Sequence, residues 1–277
     1  MNQADSRSDR RVTSDLGFSE DMAVRPKFHA NDVALDVLNI VPRPMPIEDA
    51  RRRVTPPSLD VEGFALYPHK STVRDFRDRE EVERVHPSEI HELLLQVSGA
   101  DHVIVTGVGI LRFSERSTDS GALDNSRPAR LAHIDCSDAT ADQFYAHSRP
   151  AGDRPILRAA QYNVWRAVST PPQDVPLAVC DARSLSPGDL MPADAMFDVD
   201  GEIVRKFEAL VIRHNPNQRW SFFSDMTRDE ALVFKTNDTD PARAHHVPHG
   251  AFSDPTCPAD AAPRTSIEMR GVAFWFG

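Results

Sequence analysis

The clearest indication of the fold class is the C-terminal stretch TSIEMRGVAFWF, residues 265–276. Apolar residues recur at every second position from Ile267 to Trp275, and charged Glu268 and Arg270 lie between the first of them. Side chains of a β-strand point to opposite faces with a period of two, so this alternation predicts a strand with one buried face.

Similar short runs fill most of the chain upstream and are separated by turns rich in Pro, Asp, Gly and Asn. One helix is predicted over Glu80–Ser98, with Pro87 in its first turn and Gly99 as its stop. Many short strands and few helices indicate a mainly β protein, a jelly-roll or cupin-type barrel with flanking helices in the N-terminal third. The other predicted strands are 61–67, 102–113, 130–135, 157–168, 176–181, 203–214, 219–223 and 231–235.

The chain has 277 residues, a length that one β domain can reach. Residues 1–30 are rich in Ser, Asp and Arg and show no hydrophobic period, so we expect a weakly ordered N-terminal arm. The remaining residues, 31–277, are expected to form a single domain.

The composition excludes several classes of function. A formal net charge of −10 argues against binding to nucleic acid or to an anionic membrane. The N-terminus lacks the apolar segment of a secretory signal, and no stretch approaches the roughly 18 apolar residues of a spanning helix. Three scattered cysteines fit a reducing compartment. The sequence therefore predicts a cytoplasmic protein with a small-molecule substrate.

Three side chains suggest a metal site. His133 and Asp135 are two positions apart on a predicted strand, so both can point to one face and bind one ion; an ordinary surface or core pair is the alternative. His249 is followed by apolar residues that can seat it against a core, with His246 as the substitute. Two histidines and one carboxylate that leave open positions form the ligand set of non-heme Fe(II) oxygenases.

Arg264 and Ser266 follow His249 and share one face of the terminal strand. A guanidinium and a hydroxyl placed in this way can bind one carboxylate, although an exposed arginine at a strand edge would show the same pattern. Asn163 and Arg166 lie on another predicted strand and are candidates for lining the cavity beside the metal. A half-buried strand with one solvated face is the alternative there.

Four segments together resemble a known family. The family contains fungal gibberellin desaturase, cephamycin 7-alpha-hydroxylase components and many hydroxylase/desaturases of secondary metabolism, including antibiotic biosynthesis. The resemblance covers roughly residues 60–277. Its segments are Asn163-Val164-Trp165-Arg166, Pro176–Asp181, Pro248–Pro255 and Arg264–Arg270.

The resemblance implies a double-stranded β-helix and an oxygenase that uses Fe(II), 2-oxoglutarate and O2. It makes His133, Asp135 and His249 the iron ligands and Arg264 the 2-oxoglutarate anchor. The implied reaction is hydroxylation, desaturation or oxidative cyclisation of a biosynthetic intermediate, with succinate and CO2 as co-products. Gly250 stands where the family commonly has Thr, which puts any analogy of substrate in doubt.

Two alternatives remain open from the sequence. A cupin-like metal hydrolase or isomerase would use the same three ligands without a co-substrate. A non-catalytic partner subunit would keep the fold without the chemistry. The pair Arg264 and Ser266 favours the oxygenase, because a hydrolase has no need of a dicarboxylate anchor.

Overall fold

The computed structural model of the chain describes residues 11–122, 125–199 and 202–277. Within these ranges the fold is mainly β, with two α-helices, α1 (Arg79–Ser98) and α2 (Asp138–His147). The strands in chain order are β1 (Arg11–Ser19), β2 (Lys27–His29), β3 (Ile40–Asp49), β4 (Phe64–Pro68), β5 (His102–Phe113), β6 (His133–Ile134), β7 (Ile156–Ala167), β8 (Leu177–Cys180), β9 (Leu190–Val199), β10 (Glu202–Ile212), β11 (Trp220–Phe222), β12 (Glu230–Asp238), β13 (His249–Ala251) and β14 (Thr265–Phe276).

These strands form two sheets. The large sheet has the order β1-β3-β11-β8-β13-β6-β10-β9-β2, and the small sheet has the order β4-β12-β7-β14-β5. Paired strands are antiparallel except β11 with β3 and β2 with β9. The C-terminal stretch predicted as a strand is β14, paired with β5 on one side and β7 on the other. Neighbouring strands in space are often distant in sequence, and this brings residues from separate segments together.

Both faces of the small sheet contribute buried side chains to the core. On its inner face, Trp165 of β7 and Phe234 of β12 pack with Val179 of the large sheet. On its outer face, Val164 packs with Leu94 of α1. The side chains of successive residues of β7 therefore point to opposite faces of the sheet, as the two-residue period of a strand requires. Burying an aromatic or aliphatic side chain of this kind stabilises the fold by about 1.5–3 kcal/mol.

Both helices have defined ends. The side chain of Asp78 accepts a hydrogen bond from the backbone N–H of Glu81 at the start of α1, and Gly99 ends the helix with a φ of 65°. Pro87 lies inside α1 rather than in its first turn. The helix α2, capped by Ser137, lies in the middle of the chain and was not predicted. No helix in the described part of the chain combines the length and apolar composition that crossing a bilayer requires.

The N-terminal region differs from the predicted arm. Residues 1–10 lie outside the described residues, but Arg11–Ser19 forms the strand β1, which pairs along its length with β3. The side chains of Val12, Leu16 and Phe18 point to one side and are buried in the core of the large sheet. The alternation was present in the sequence, but polar neighbours made it weak.

The strand β1 also braces the segment that leads into β6. The backbone N–H of Ala132 donates a hydrogen bond of 2.7 Å to the carbonyl oxygen of Gly17. A Cβ atom at Gly17 would lie only 2.5 Å from the carbonyl oxygen of Arg130, so this close approach requires a glycine. The first described strand therefore supports the segment that carries His133.

We predict that Phe18→Ala lowers the free energy of unfolding by about 3–5 kcal/mol, because it removes a fully buried aromatic ring and leaves a cavity. Val24→Ala is the matched control in the same N-terminal region, and since Val24 is 58% exposed it should change stability by less than about 0.5 kcal/mol. Urea denaturation followed by circular dichroism measures both. Equal, small effects of the two substitutions would mean that β1 is not part of the core.

Candidate metal centre

Three side chains from the large sheet converge at its centre. β6 and β13 are antiparallel neighbours in which His249 is paired directly with His133, and Asp135 follows β6. The Nε2 atom of His133 lies 3.8 Å from Oδ1 of Asp135, and that of His249 lies 3.9 Å from Oδ2. These distances are too long for hydrogen bonds. They suit metal ligands, because two ligand atoms that each lie about 2.1 Å from one ion are roughly 3–4 Å from each other.

The two imidazoles are oriented for coordination by their own backbone. The Nδ1 atom of His133 lies 3.0 Å from the carbonyl oxygen of Leu131, and that of His249 lies 3.3 Å from the carbonyl oxygen of Val247. A carbonyl only accepts, so each Nδ1 carries the hydrogen and each Nε2 keeps its lone pair. Hydrogen bonds of this kind fix the tautomer and the ring orientation of metal-binding histidines.

Burial keeps these histidines neutral. It lowers the pKa of His133 to about 4, with a smaller contribution from His249, and it also lowers the pKa of His249. Burial opposes the charge on Asp135, but Arg270 and the two imidazoles hold the pKa of that carboxyl well below its usual range. Near neutral pH the cluster therefore consists of two neutral imidazoles and one carboxylate, the protonation states that bind a metal ion.

Two further side chains hold the carboxylate of Asp135. The Nη2 atom of Arg270 donates to Oδ1 at 3.0 Å and also contacts Glu268 at 2.8 Å. Nδ2 of Asn163 donates to Oδ2 at 2.5 Å. Burial works against the charge of Arg270, yet Asp135 and Glu268 keep its pKa above the ordinary value. Asp135 is thus oriented through both of its oxygens.

Arg264 is a buried cation with unused donors. It is 2% exposed, and one Nη1 hydrogen bond reaches the hydroxyl of Ser266. Its Nε and Nη2 atoms have no hydrogen-bond partner within the described ranges, and the guanidinium lies 5.9 Å from the ring centroid of Trp165. Burial lowers the pKa of Arg264 to about 9, so it is still charged at neutral pH. A buried charge whose N–H groups lack acceptors raises the free energy of the folded state unless an anion binds to them.

The cluster and the arginine face the same space. A narrow cavity of about 20 Å³ is lined by His133, Asp135 and His249 and also by Arg264 and Trp165. This volume holds about one water molecule. His133 and Asp135 also border a cavity of about 510 Å³, while Asp135 and Arg270 border a further cavity of about 910 Å³.

A family model described as "Oxidoreductase/YMDC permease-like domain" matches residues 18–274. The hydroxylase/desaturase CTB9 of Cercospora beticola is 30% identical over 236 residues, which cover 79% of this chain and 72% of that protein. The Fe(II)/2-oxoglutarate-dependent dioxygenase nvfI of Aspergillus novofumigatus is 28% identical over 244 residues, covering 85% of this chain and 84% of that protein. The chain belongs to this family of Fe(II)/2-oxoglutarate-dependent oxygenases. Its cofactors are Fe(II), 2-oxoglutarate and O2, as the resemblance implied.

The solved structures agree on the fold. The iron and alpha-ketoglutarate-dependent endoperoxidase NvfI superposes with a TM-score of 0.82 and 24% identity, covering 96% of this chain and 98% of that structure. A variant of the same protein, with one tryptophan replaced by phenylalanine, gives a TM-score of 0.81. The oxygenase thus shares the jelly-roll architecture of these structures, and this agrees with the mainly β fold class expected from its strands.

The two predicted pocket residues have different environments in the oxygenase. Asn163 contacts Asp135 and lines the 910 Å³ cavity. Arg166 is not brought to the metal cluster: it donates to the backbone carbonyl of His69 at 2.7 Å and to that of Arg228, and lies 5.9 Å from the ring of Phe76. The two residues are three positions apart on β7, so they point to opposite faces of the strand.

The sequence left His246 open as a substitute for His249. In the structure, His249 joins His133, whereas His246 lies with Asp138 and His245 in a separate cluster. Arg270 lies near the site, as do Arg112 and Glu268, and the sequence alone gave it no role. The sequence pattern could have indicated Arg270, because it lies an even number of positions from Ser266 on the terminal strand. The two side chains therefore share one face of that strand.

The lowered pKa of His133, about 4 against an ordinary 6.5, predicts that the metal-free oxygenase is sensitive to acid. Between pH 6.5 and pH 4 the unfolded chain binds a proton at this residue and the folded chain does not, so the free energy of unfolding falls as the pH is lowered. We expect His133 to contribute a loss of the order of 3 kcal/mol. Urea denaturation from pH 7 to pH 4 measures it.

His133→Gln should show a smaller loss over the same pH range. Burial also lowers the pKa of His86 to about 4. His86 is present in both proteins, so it contributes equally to the pH dependence of their free energies of unfolding. Identical pH dependence in the variant and the wild type would contradict the assignment of the effect to His133.

Proposed function

We propose that His133, Asp135 and His249 hold the Fe(II) of this oxygenase and that Arg264 and Ser266 bind the distal carboxylate of 2-oxoglutarate. The observation that carries the proposal is the pair of free N–H donors on buried Arg264, which lines the same narrow cavity as the three ligands. A planar guanidinium binds a carboxylate through two parallel hydrogen bonds, and the hydroxyl of Ser266 adds a third contact.

When bound, the iron and 2-oxoglutarate supply the oxidising chemistry with O2, and succinate and CO2 are the co-products. The chain's own contribution is placement. The backbone carbonyls behind both histidines fix their rings, and Asn163 and Arg270 orient Asp135. Such outer contacts typically alter metal affinity or activity by about 10–100-fold when removed.

The space around the cluster supports a small-molecule substrate. The cavities of about 510 and 910 Å³ both include Asp135, Arg270, Phe197 and Phe207 in their walls. These volumes are in the range of sites for small organic ligands, which are mostly apolar with a few polar groups. We infer that a biosynthetic intermediate of this size lies beside Asp135 and is hydroxylated, desaturated or cyclised there.

We further infer that one oxygenase domain, a double-stranded β-helix, begins with β1 and includes the rest of the chain. The three cysteines are free, two of them buried, which supports a reducing, cytoplasmic location. The hydrolase alternative gives no reason for a buried arginine with unused donors beside the metal ligands. A non-catalytic subunit would not need the oriented tautomers.

We predict that Arg264→Met weakens 2-oxoglutarate binding at least about 30-fold, because loss of one partner of a buried charged pair costs about 2–5 kcal/mol. Anaerobic titration of the Fe(II) protein with 2-oxoglutarate, followed through its weak visible charge-transfer band, measures the affinity. Arg264→Lys should give an intermediate value, since lysine keeps the charge but lacks the planar fork.

Arg79→Met is the matched control for the loss of one arginine. Arg79 is on the surface of α1, with its side chain 79% exposed, and it should leave the titration unchanged. If Arg264→Met binds 2-oxoglutarate like the wild type, Arg264 is not the anchor.

A second prediction separates the two candidate histidines. His249→Gln should abolish the charge-transfer band, because it removes one of three iron ligands. His246→Gln should keep the band, because His246 contacts Asp138 rather than Asp135. The reverse pattern would assign the iron to His246.

A further inference from the structure

A second cluster of metal-binding side chains lies apart from the first and shares no residue with it. Asp138 is the first residue of α2, and His245 and His246 lie in the segment that leads into β13. One ligand atom from each of these three residues lies within 4.8 Å of the other two. Oδ1 of Asp138 is 2.7 Å from Nε2 of His245 and 3.1 Å from Nε2 of His246.

The hydrogen atoms available to this cluster do not satisfy it. The Nδ1 atom of His245 lies 2.6 Å from the carbonyl oxygen of Asp238, so Nδ1 carries the hydrogen of a neutral ring. Its Nε2 lone pair then faces a carboxylate oxygen at 2.7 Å. Nδ2 of Asn237 lies 2.8 Å from Asp138, 3.3 Å from Nε2 of His245 and 3.5 Å from Nε2 of His246, so its two hydrogens cannot fill the contact between His245 and Asp138. A cation, either a proton or a metal ion, is needed between these two side chains.

Several features suit a metal ion at this position. His246 is buried, which lowers its pKa and keeps its ring neutral, the form that binds a metal ion. The Asp138 side chain is 70% exposed and can rotate from hydrogen-bonding distance to the wider spacing of metal ligands. The hydroxyl of Tyr145 donates to Oδ1 of Asn237 at 2.8 Å, so the amide is fixed beside the cluster. A cavity of about 560 Å³ borders all three ligands and leaves room for water on the ion.

We propose that Asp138, His245 and His246 bind a second divalent transition-metal ion, of the Zn²⁺ class. Two imidazoles and one carboxylate suit Zn²⁺, Ni²⁺ or Cu²⁺ better than Mg²⁺ or Ca²⁺, which prefer oxygen ligands. The ion joins the start of α2 to the segment before β13. These are the two stretches that continue from Asp135 and into His249, so the second ion stabilises the chain on both sides of the iron cluster.

Zinc binding to the full chain carrying His249→Gln tests the proposal, because that background disables the first cluster. Titration with Zn²⁺ against a chromogenic chelator should give one tightly bound ion per chain. Adding His245→Gln or Asp138→Asn should lower the affinity for that ion. The loss should exceed the roughly 10–100-fold typical of removing a contact outside the ligand set. Both substitutions are at accessible positions, and circular dichroism checks that each variant is folded.

Asp142→Asn and His147→Gln, exposed residues of the same helix, are the matched controls and should leave zinc affinity unchanged. Anomalous scattering at the zinc edge should place the ion between Asp138 and the two histidines. The proposal is overturned if the His249→Gln chain binds no zinc in the titration, or if His245→Gln and Asp138→Asn bind it as tightly as the controls. Either result would leave a protonated His245 paired with Asp138 as the cation of this cluster. Since His249→Gln is present throughout, neither result bears on the iron ligands.

Discussion

The direct pairing of His133 with His249 across β6 and β13 is the constraint on which the rest of the structure depends. The two strands are short and distant in sequence, so they meet only because longer neighbours, β8 and β10, hold them in the large sheet. Gly250 is necessary for the approach: a Cβ atom there would lie 2.9 Å from the carbonyl oxygen of Leu131. That carbonyl also orients the ring of His133. The resemblance placed a commoner Thr at position 250, and here the backbone contact explains the glycine.

The charges around the narrow cavity follow from the same arrangement. Arg112, Arg264 and Arg270 line it together with the carboxylates of Asp135 and Glu268. Arg270 contacts both carboxylates, whereas the guanidinium of Arg264 contacts a hydroxyl. These five side chains leave an excess of one positive charge. Within the described ranges Arg264 forms no ion pair, and the carboxylates of Asp174 and Glu115 act on it only from a greater distance. A divalent metal ion and a dicarboxylate have opposite charges of equal size, so their joint binding does not change the net charge of the site. The metal ion and the dicarboxylate are therefore electrostatically suited to bind together.

The sequence indicated the candidate ligand residues more readily than the side chains that hold them in place. The spacing of His133 and Asp135 follows from the strand period alone, and so does the shared face of Arg264 and Ser266. The same period separates Asn163 from Arg166, which are an odd number of positions apart and cannot both face the cavity. The strand β1 was missed because Ser14 interrupts its apolar alternation. The place of β1 in the core depends on the distant segments that pack against it. A local sequence pattern does not identify those segments.

Arg270 connects the proposed metal cluster to the proposed substrate space. Its side chain contacts Asp135 and lines the narrow cavity and both larger cavities. A ligand that attracts or displaces this guanidinium also changes the hydrogen bonding of a metal ligand, and a change at Asp135 alters the wall of the substrate space. Under the proposed assignment, the three ligands define the type of chemistry but not its position on a substrate. Under the proposed function the cavity walls orient the substrate, and Arg270 and Asn163 are the wall residues that contact Asp135. Because Arg270 lines all three cavities, we regard it as the side chain through which substrate binding and metal geometry influence each other.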